Sequence, residues 1–200
     1  MLIEQVCLAK AEDDPIEGAL FEGETLSDAD CSKVDFKTVR FVNCKFERCD
    51  FRRAGFYFST FSHCDFGGCA FAESFWKQTR LEDSRGDGAD FSCSHLKETV
   101  FSNGSFCYAN FTKSAWENCS LNHCFCKEAF FTESRFKKLM LDTVDLSRAD
   151  FFKTPLKGID LSSCVISGIM VSDSFRELYG AKIDLSQAVD LAVMLGVKIV

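Results

Sequence analysis

Four residues within one short stretch, Cys119, His123, Cys124 and Cys126, are of the types that bind zinc, whose preferred ligands are thiolate and imidazole. The chain has only three histidines, His63, His95 and His123. A general base or an activated nucleophile would have to be assembled from these, from the twelve cysteines, or from closely paired carboxylates. Whether any such group can converge depends on which way each side chain points, and the spacing of the apolar residues decides that.

From Phe21 to Val171 every fifth residue is an apolar or small one in a single unbroken phase, and 16 Phe, 8 Leu and 2 Trp fill most of these positions. A second column, two residues earlier in each unit, is occupied mainly by Ala, Cys, Ser, Thr, Val and Gly. A helix repeats near 3.6 residues and a strand at 2, so neither sustains a period of five over such a length. A fixed short period implies a solenoid whose units stack only on their neighbours.

Runs such as Cys44-Lys45-Phe46-Glu47-Arg48, Cys49-Asp50-Phe51-Arg52-Arg53 and Ala89-Asp90-Phe91-Ser92-Cys93 resemble the pentapeptide-repeat family: a small residue, Asp or Asn, Leu or Phe, then two variable residues. The resemblance covers residues 16 to 173 and implies an all-β fold, a right-handed quadrilateral β-helix. In it four units form a 20-residue square coil with the large and small columns turned inward. The implied organisation is a lead-in over 1–15, about eight coils over 16–173 at roughly 4.8 Å per coil, and a C-terminal cap and tail over 174–200.

On that geometry Cys119, Cys124 and Cys126 turn inward on more than one side and His123 turns outward, so the zinc cluster is not expected to close. His63 and His95 also fall outward, and no serine or cysteine has an evident base beside it. The expectation is a protein that is not an enzyme and holds no metal or other cofactor. Seven cysteines (Cys44, Cys49, Cys64, Cys69, Cys119, Cys124 and Cys164) lie in the small inward column, where they act as small buried hydrophobes. Cys44 with Cys64, and Cys49 with Cys69, should stack on adjacent coils at a spacing that a disulfide tolerates. A reducing compartment would keep them as thiols. No long apolar run and no leader pattern is apparent, so the expected location is cytoplasmic and no membrane partner is expected.

Gly86 occupies a large inward position, and a local bulge or a small void beside Leu81 and Phe106 is expected there. After Val171 the pattern changes. Ser174-Phe175-Arg176-Glu177 matches a capping box. Asp184 or Ser186 can cap a helix from about Gln187 to Leu195, with Gly196 as its stop and Val197-Lys198-Ile199-Val200 alternating as a short strand.

Ala188, Leu191, Leu195, Gly196, Val197 and Ile199 are similar in type and spacing to the C-terminal segment of the quinolone-resistance (Qnr-like) proteins and their mycobacterial relative. Those act on DNA gyrase and dimerise through this tail. The resemblance implies a homodimer built on Ala188, Leu191, Ala192, Leu195, Val197 and Ile199.

The overall charge of −7 argues against nucleic acid as a direct partner. Sorted by position within the 20-residue coil, one side carries Glu22, Glu82, Asp83, Asp142 and Asp160 against two arginines. A second carries Asp30, Asp50, Asp90 and Asp150, with further acids, against five basic residues, and a third is near balance. The fourth has Lys37, Lys77, Lys97, Arg135, Lys137, Lys138 and Lys157 against Asp35, Glu98 and Glu117. A rigid rod with acidic stripes can compete for a cationic saddle that binds duplex DNA. With the tail's resemblance, this points to a DNA mimic that binds bacterial DNA gyrase or topoisomerase IV, modulating it or protecting it from quinolone-type inhibitors. The competing reading is a scaffolding repeat protein that meets another partner through exposed aromatics such as Tyr57, Phe58 and Phe75. For each Asp just ahead of a large residue, a purely structural role at the coil corner is as well supported as a binding one.

Overall fold

The computed structural model describes residues 1–198. The chain winds as a four-sided β-helix in which residues of successive coils pair 20 positions apart, as Phe36 does with Phe56 and Leu81 with Phe101. Side one carries seven parallel strands, from Ile16–Glu17 through Asp35–Lys37 to Arg135–Lys137. Side two carries seven more, from Leu20–Glu22 to Met140–Asp142. Side three has the strands Thr25–Ser27 and Lys45–Glu47 and then continues, like side four, through single bridges such as Asp65 to Arg85 and Asp50 to Ala70.

The inward columns make the core. On side four Phe51, Phe71, Phe91, Phe111, Phe131 and Phe151 form one continuous stack, with successive ring centroids 4.9, 4.9, 5.0, 5.2 and 5.1 Å apart and nearly parallel planes. That spacing is close to the roughly 4.8 Å at which the backbone stacks coils, so ring stacking and backbone pairing demand the same register. The small column has its own chemistry. Ser59 Oγ donates to the carbonyl of Phe36 at 3.1 Å and Thr79 Oγ1 to that of Phe56 at 3.0 Å. Ser74 and Ser114 accept the indole N–H of Trp76 and Trp116 at 2.7 and 2.8 Å, the partner a buried tryptophan requires. All twelve cysteines are free and nine are buried. Burial pushes the Cys31 thiol up to about 12 and that of Cys126 well above its usual value, which makes such groups poor nucleophiles.

Gly86 departs from expectation. The register runs through it without a bulge, since Gly86 N bonds Ser105 O at 2.7 Å and Phe66 N bonds Arg85 O at 2.8 Å. The space over the glycine is taken up: the rings of Phe66 and Phe106, 40 positions apart, lean over it to a centroid distance of 6.3 Å. A Cβ on Gly86 would lie 2.5 Å from Phe66 Cε2 and 3.0 Å from Phe106 Cδ1.

Two helices cover the ends of the coil. The first, α1 (Leu2–Glu12), buries Leu2, Val6 and Ala9 against the first turn. Its leading amide, Leu2 N–H, donates to Glu24 Oε2 at 2.7 Å, which explains the one acidic residue in the small column, because a carboxylate is favoured at a helix N-terminus. Lys10 then ties the helix to Asp30 at 2.6 Å. This helix replaces the expected lead-in over 1–15, and the i, i+4, i+7 spacing of its three buried residues is its signal in the sequence. At the other end a short 3-10 turn, Arg176–Leu178, follows Phe175 in the left-handed region. The expected Ser174 box does not form: Ser174 shares a hydrogen bond with Ser172, and Ser172 reaches Glu177. The second helix, α2 (Leu185–Met194), is capped by Asp184, whose carboxylate accepts from Gln187 N at 2.8 Å. The buried Gln187 side chain donates to the carbonyls of Leu161 and Cys164 at 2.7 and 2.6 Å, closing two groups that the last coil would leave open.

The aspartates ahead of the inward residues on sides three and four hold the turns. Asp50, Asp65, Asp90, Asp145 and Asp150 each accept from the backbone N–H two residues on, at 2.8 to 3.0 Å. The Arg52 guanidinium bonded to Asp50 holds its carboxyl below the ordinary range. At Asp145 partial burial acts upward, but the Ser147 hydroxyl and amide with Lys127 outweigh it and the net shift is down.

Replacing Gly86 by Leu, the residue the register favours, should destabilise the fold by about 1–3 kcal/mol through overpacking; a higher urea midpoint for Gly86→Leu would show an empty space after all. The depressed carboxyls give a signed pH dependence. Their contribution is fully present above the unfolded aspartate value of about 3.9 and is lost as pH falls through the lower folded values. Denaturant titrations should therefore show stability falling below about pH 4, with a shallower fall in Asp50→Asn/Asp145→Asn.

Candidate interaction surfaces

Outward columns take their geometry from the coil. Glu22, Glu82 and Asp142 belong to one column of side two, since Glu22 pairs with Val42, Glu82 with Ser102 and Asn122 with Asp142. Sixty positions, three coil steps, separate each acid from the next, about 14 Å at the usual strand spacing. Asp83 stands at the adjoining corner with a φ of 49°. Among the described residues Glu22 and Asp83 have no cationic partner, Asp142 accepts only from Thr143 Oγ1, and Glu82 has Arg80 at 4.0 Å. Asp160 is engaged by Ser162, which donates both its amide and its hydroxyl.

The acids of side four are more committed. Asp30 is held by Lys10 and by both donors of Ser32. Asp50 binds Arg52 through its guanidinium and its amide. Asp90 accepts from Ser92 N and Asn110 Nδ2, and Asp150 from Phe152 N and Thr132 Oγ1. The structure therefore separates the nine acids into a set that builds no turn and is at most loosely engaged, Glu22, Glu82, Asp83 and Asp142, and a set that also builds turns, Asp30, Asp50, Asp90, Asp150 and Asp160.

Side one is cationic. The column Lys37, Tyr57, Lys77, Lys97, Glu117 and Lys137 runs along it in register, and Lys137 pairs with Glu117 at 2.7 Å. The first strand adds Glu17 to this side. Alongside, Tyr57, Phe75 and His95 form a ladder with ring centroids 5.9 and 6.2 Å apart, and Lys77 lies over the Phe58 ring at 5.8 Å, a cation–π contact. Ala115 ends the ladder, leaving a shallow hollow of about 250 Å³ between His95 and Arg135. The second aromatic set, Phe125, Phe130 and Phe152, is exposed on sides three and four.

In the tail, α2 turns Gln187, Leu191 and Met194 toward the coil, with Ala188 partly covered. Its outer surface is apolar as well: Leu185, Val189 and Val193 are 87%, 48% and 60% exposed, and Leu195 and Val197 are exposed beyond them. Of the residues singled out for dimerisation, Leu195 and Val197 are open and Ala192 half-buried, whereas Leu191 packs on its own coil. Ile199 lies outside the described residues. Leu185, Val189 and Val193 escaped the sequence reading because the helix is apolar on both faces, and periodicity alone does not say which face the coil covers.

Cys119, Cys124 and Cys126 are buried and His123 is exposed. Among the described residues no group of three or more His, Cys, Asp or Glu is placed to hold a metal ion. No helix among them is long and apolar enough to cross a membrane.

The pentapeptide-repeats family model matches residues 29–68 and 64–103. Among solved structures, a trypsin-treated variant of QnrB1, a plasmid-mediated fluoroquinolone resistance protein, superposes with a TM-score of 0.56 at 22% identity, covering 93% of this chain and 98% of that one. Full-length QnrB1 gives 0.51 at 22% identity over 92% and 97%. At that identity the likeness is one of fold. No curated protein sequence matches the chain. Residues 29–103 are thus pentapeptide repeats, and the same register continues on both sides of them.

Proposed function

We propose that the protein is a DNA-mimicking interaction protein that binds a bacterial type II topoisomerase, DNA gyrase or topoisomerase IV, and modulates it or protects it from quinolone-type inhibitors. The observation that carries this reading is the acid column of side two, which builds no turn and is held by the coil beside the cationic side one. Carboxylates that build no turn are fixed at multiples of the coil pitch, and a rigid acidic surface of this kind competes for a cationic DNA-binding saddle with little ordering cost. The fold it shares with a fluoroquinolone resistance protein agrees with this reading. The scaffolding alternative rests on the exposed Tyr57, Phe75 and His95 ladder.

In this reading two rods join through α2. Leu185, Val189 and Val193 form an outward apolar strip that a second copy can cover isologously.

Two outcomes follow. Glu82→Lys/Asp83→Lys/Asp142→Lys should abolish any effect on supercoiling by purified gyrase, with and without a fluoroquinolone, whereas Lys37→Glu/Lys97→Glu should leave it intact. Full activity in the acidic triple variant, or an equal loss in the basic pair, would move the scaffolding reading ahead. Val189→Glu/Val193→Glu should run as a monomer in light scattering. Those substitutions test association better than truncation does, because removing α2 would also remove the Gln187 bonds to the last coil.

A further inference from the structure

The coil opens at one place. On sides one and two, successive coils are joined by a regular set of backbone hydrogen bonds: Asn118 N to Lys137 O at 2.9 Å, Arg135 N to Ser114 O at 2.9 Å, Met140 N to Cys119 O at 3.0 Å. Among the described residues no such bond joins 135–142 to 155–162. The donor that would reach Ser134 O belongs to Pro155 and has no hydrogen. The equivalents of the other two bonds are also missing, so the Lys138 N–H and the carbonyls of Ser134 and Leu139 have no backbone partner. Residues 156–161 keep their onward bonds, which reach the cap: Leu156 N to Glu177 O, Gly158 N to Gly180 O and Leu161 N to Lys182 O, each at 2.8 Å. Both seven-stranded sheets accordingly end at Arg135–Lys137 and Met140–Asp142, short of the end of the rod.

Burial shows the same opening. The inward residues Phe36, Phe56, Trp76, Leu96 and Trp116 of side one are buried to 1% exposure or less, but Phe136 in the same column is half-buried, as are Leu139 and Leu141. Sides three and four stay shut across the same step, with Val165 N bonded to Val144 O and Met170 N to Ala149 O, both at 2.9 Å. The gap is therefore a one-sided wedge with an apolar floor, bordered by a strand edge with unpaired backbone groups.

We propose that this edge is a docking site for an extended, acidic segment of a partner protein, which adds as a strand beside Arg135–Lys137. Three features of the site select that occupant. The unpaired amide and carbonyls are what an added strand satisfies, and strand addition draws its affinity from main-chain bonds. Phe136 and Leu139 offer a contact to the inward side chains of a strand, which alternate in and out. Arg135, Lys138 and Lys157 stand at the rim on side one without a carboxylate partner among the described residues, Lys137 stands beside them, and these cations select acidic residues at the outward positions.

The probe is a fluorescein-labelled, acetylated peptide of alternating Val and Glu, compared with the Val-Lys peptide and with a Val-Glu peptide N-methylated on alternate residues. The full-length protein should bind the first and neither of the others, and Arg135→Glu/Lys138→Glu should weaken that binding about tenfold or more with an unchanged circular dichroism spectrum. Hydrogen exchange on the free protein supplies an independent arm: the Lys138 amide should exchange much faster than the Asn118 amide, and the Val-Glu peptide should slow it. Equal protection of the two amides would show the wedge closed and overturn the proposal. So would equal binding of the lysine or the N-methylated peptide, or no binding of the Val-Glu peptide.

Discussion

The structure depends on the agreement between two spacings. Backbone pairing sets coils roughly 4.8 Å apart, and the phenyl rings of the inward column stack at 4.9 to 5.2 Å along Phe51 to Phe151. Hydrogen bonding and ring packing thus reach their optima in the same arrangement, and any shift of register would lose both together. This is why Gly86 passes without a bulge. Phe66 and Phe106 lean over its place while the backbone stays bonded above and below.

The same constraint fixes what the surface can offer. Outward side chains stand in columns at multiples of one pitch, so charge patterns along the rod are set by which residue occupies each coil and hardly at all by loop conformation. Side four spends most of its aspartates on turn amides and ion pairs, so it contributes less free charge than its composition suggests. The acids on and beside the strands of side two have no such need: Glu22 and Asp83 have no cationic partner among the described residues, Asp142 accepts only a threonine hydroxyl, and Glu82 has Arg80 only at 4.0 Å. The distinction between an acid that builds the corner and one that is available to a partner follows from whether its side turns or extends.

Ends are the weak point of a solenoid, because the terminal coils have backbone and core to cover. The N-terminal end uses α1, with Glu24 receiving the helix's first amide. The C-terminal end uses Gln187 and α2, whose outer surface is left apolar. Between the last sheet strands and this cap, Pro155 withdraws one donor, and residues 156–161 bond onward to the cap but not back to the strands. The rod therefore has a shut end, an apolar end and an open seam beside the latter, three surfaces that a uniform repeat would not possess.

The five-residue phase by itself determined a solenoid, and with the four-sided coil that the pentapeptide-repeat resemblance implies it names the inward residues from Phe21 onward, separates Cys119 and Cys124 from His123, and places Glu82 and Asp83 outside the turn-forming slot. Asp184, Gly196 and the helix between them were also readable, because caps and stops are local. What only the tertiary structure decided lies where two distant segments meet. The turn to Leu185, Val189 and Val193 as the exposed strip depends on which face of α2 the last coil covers. The role of Glu24 depends on a helix 22 residues earlier in the chain. The open seam at Phe136 depends on residues 155–161 bonding the cap on one side while making no backbone bond to the coil before them. A repeat pattern specifies what each unit does with an identical neighbour; where the neighbour differs, the outcome is set by competition between contacts that no periodicity records.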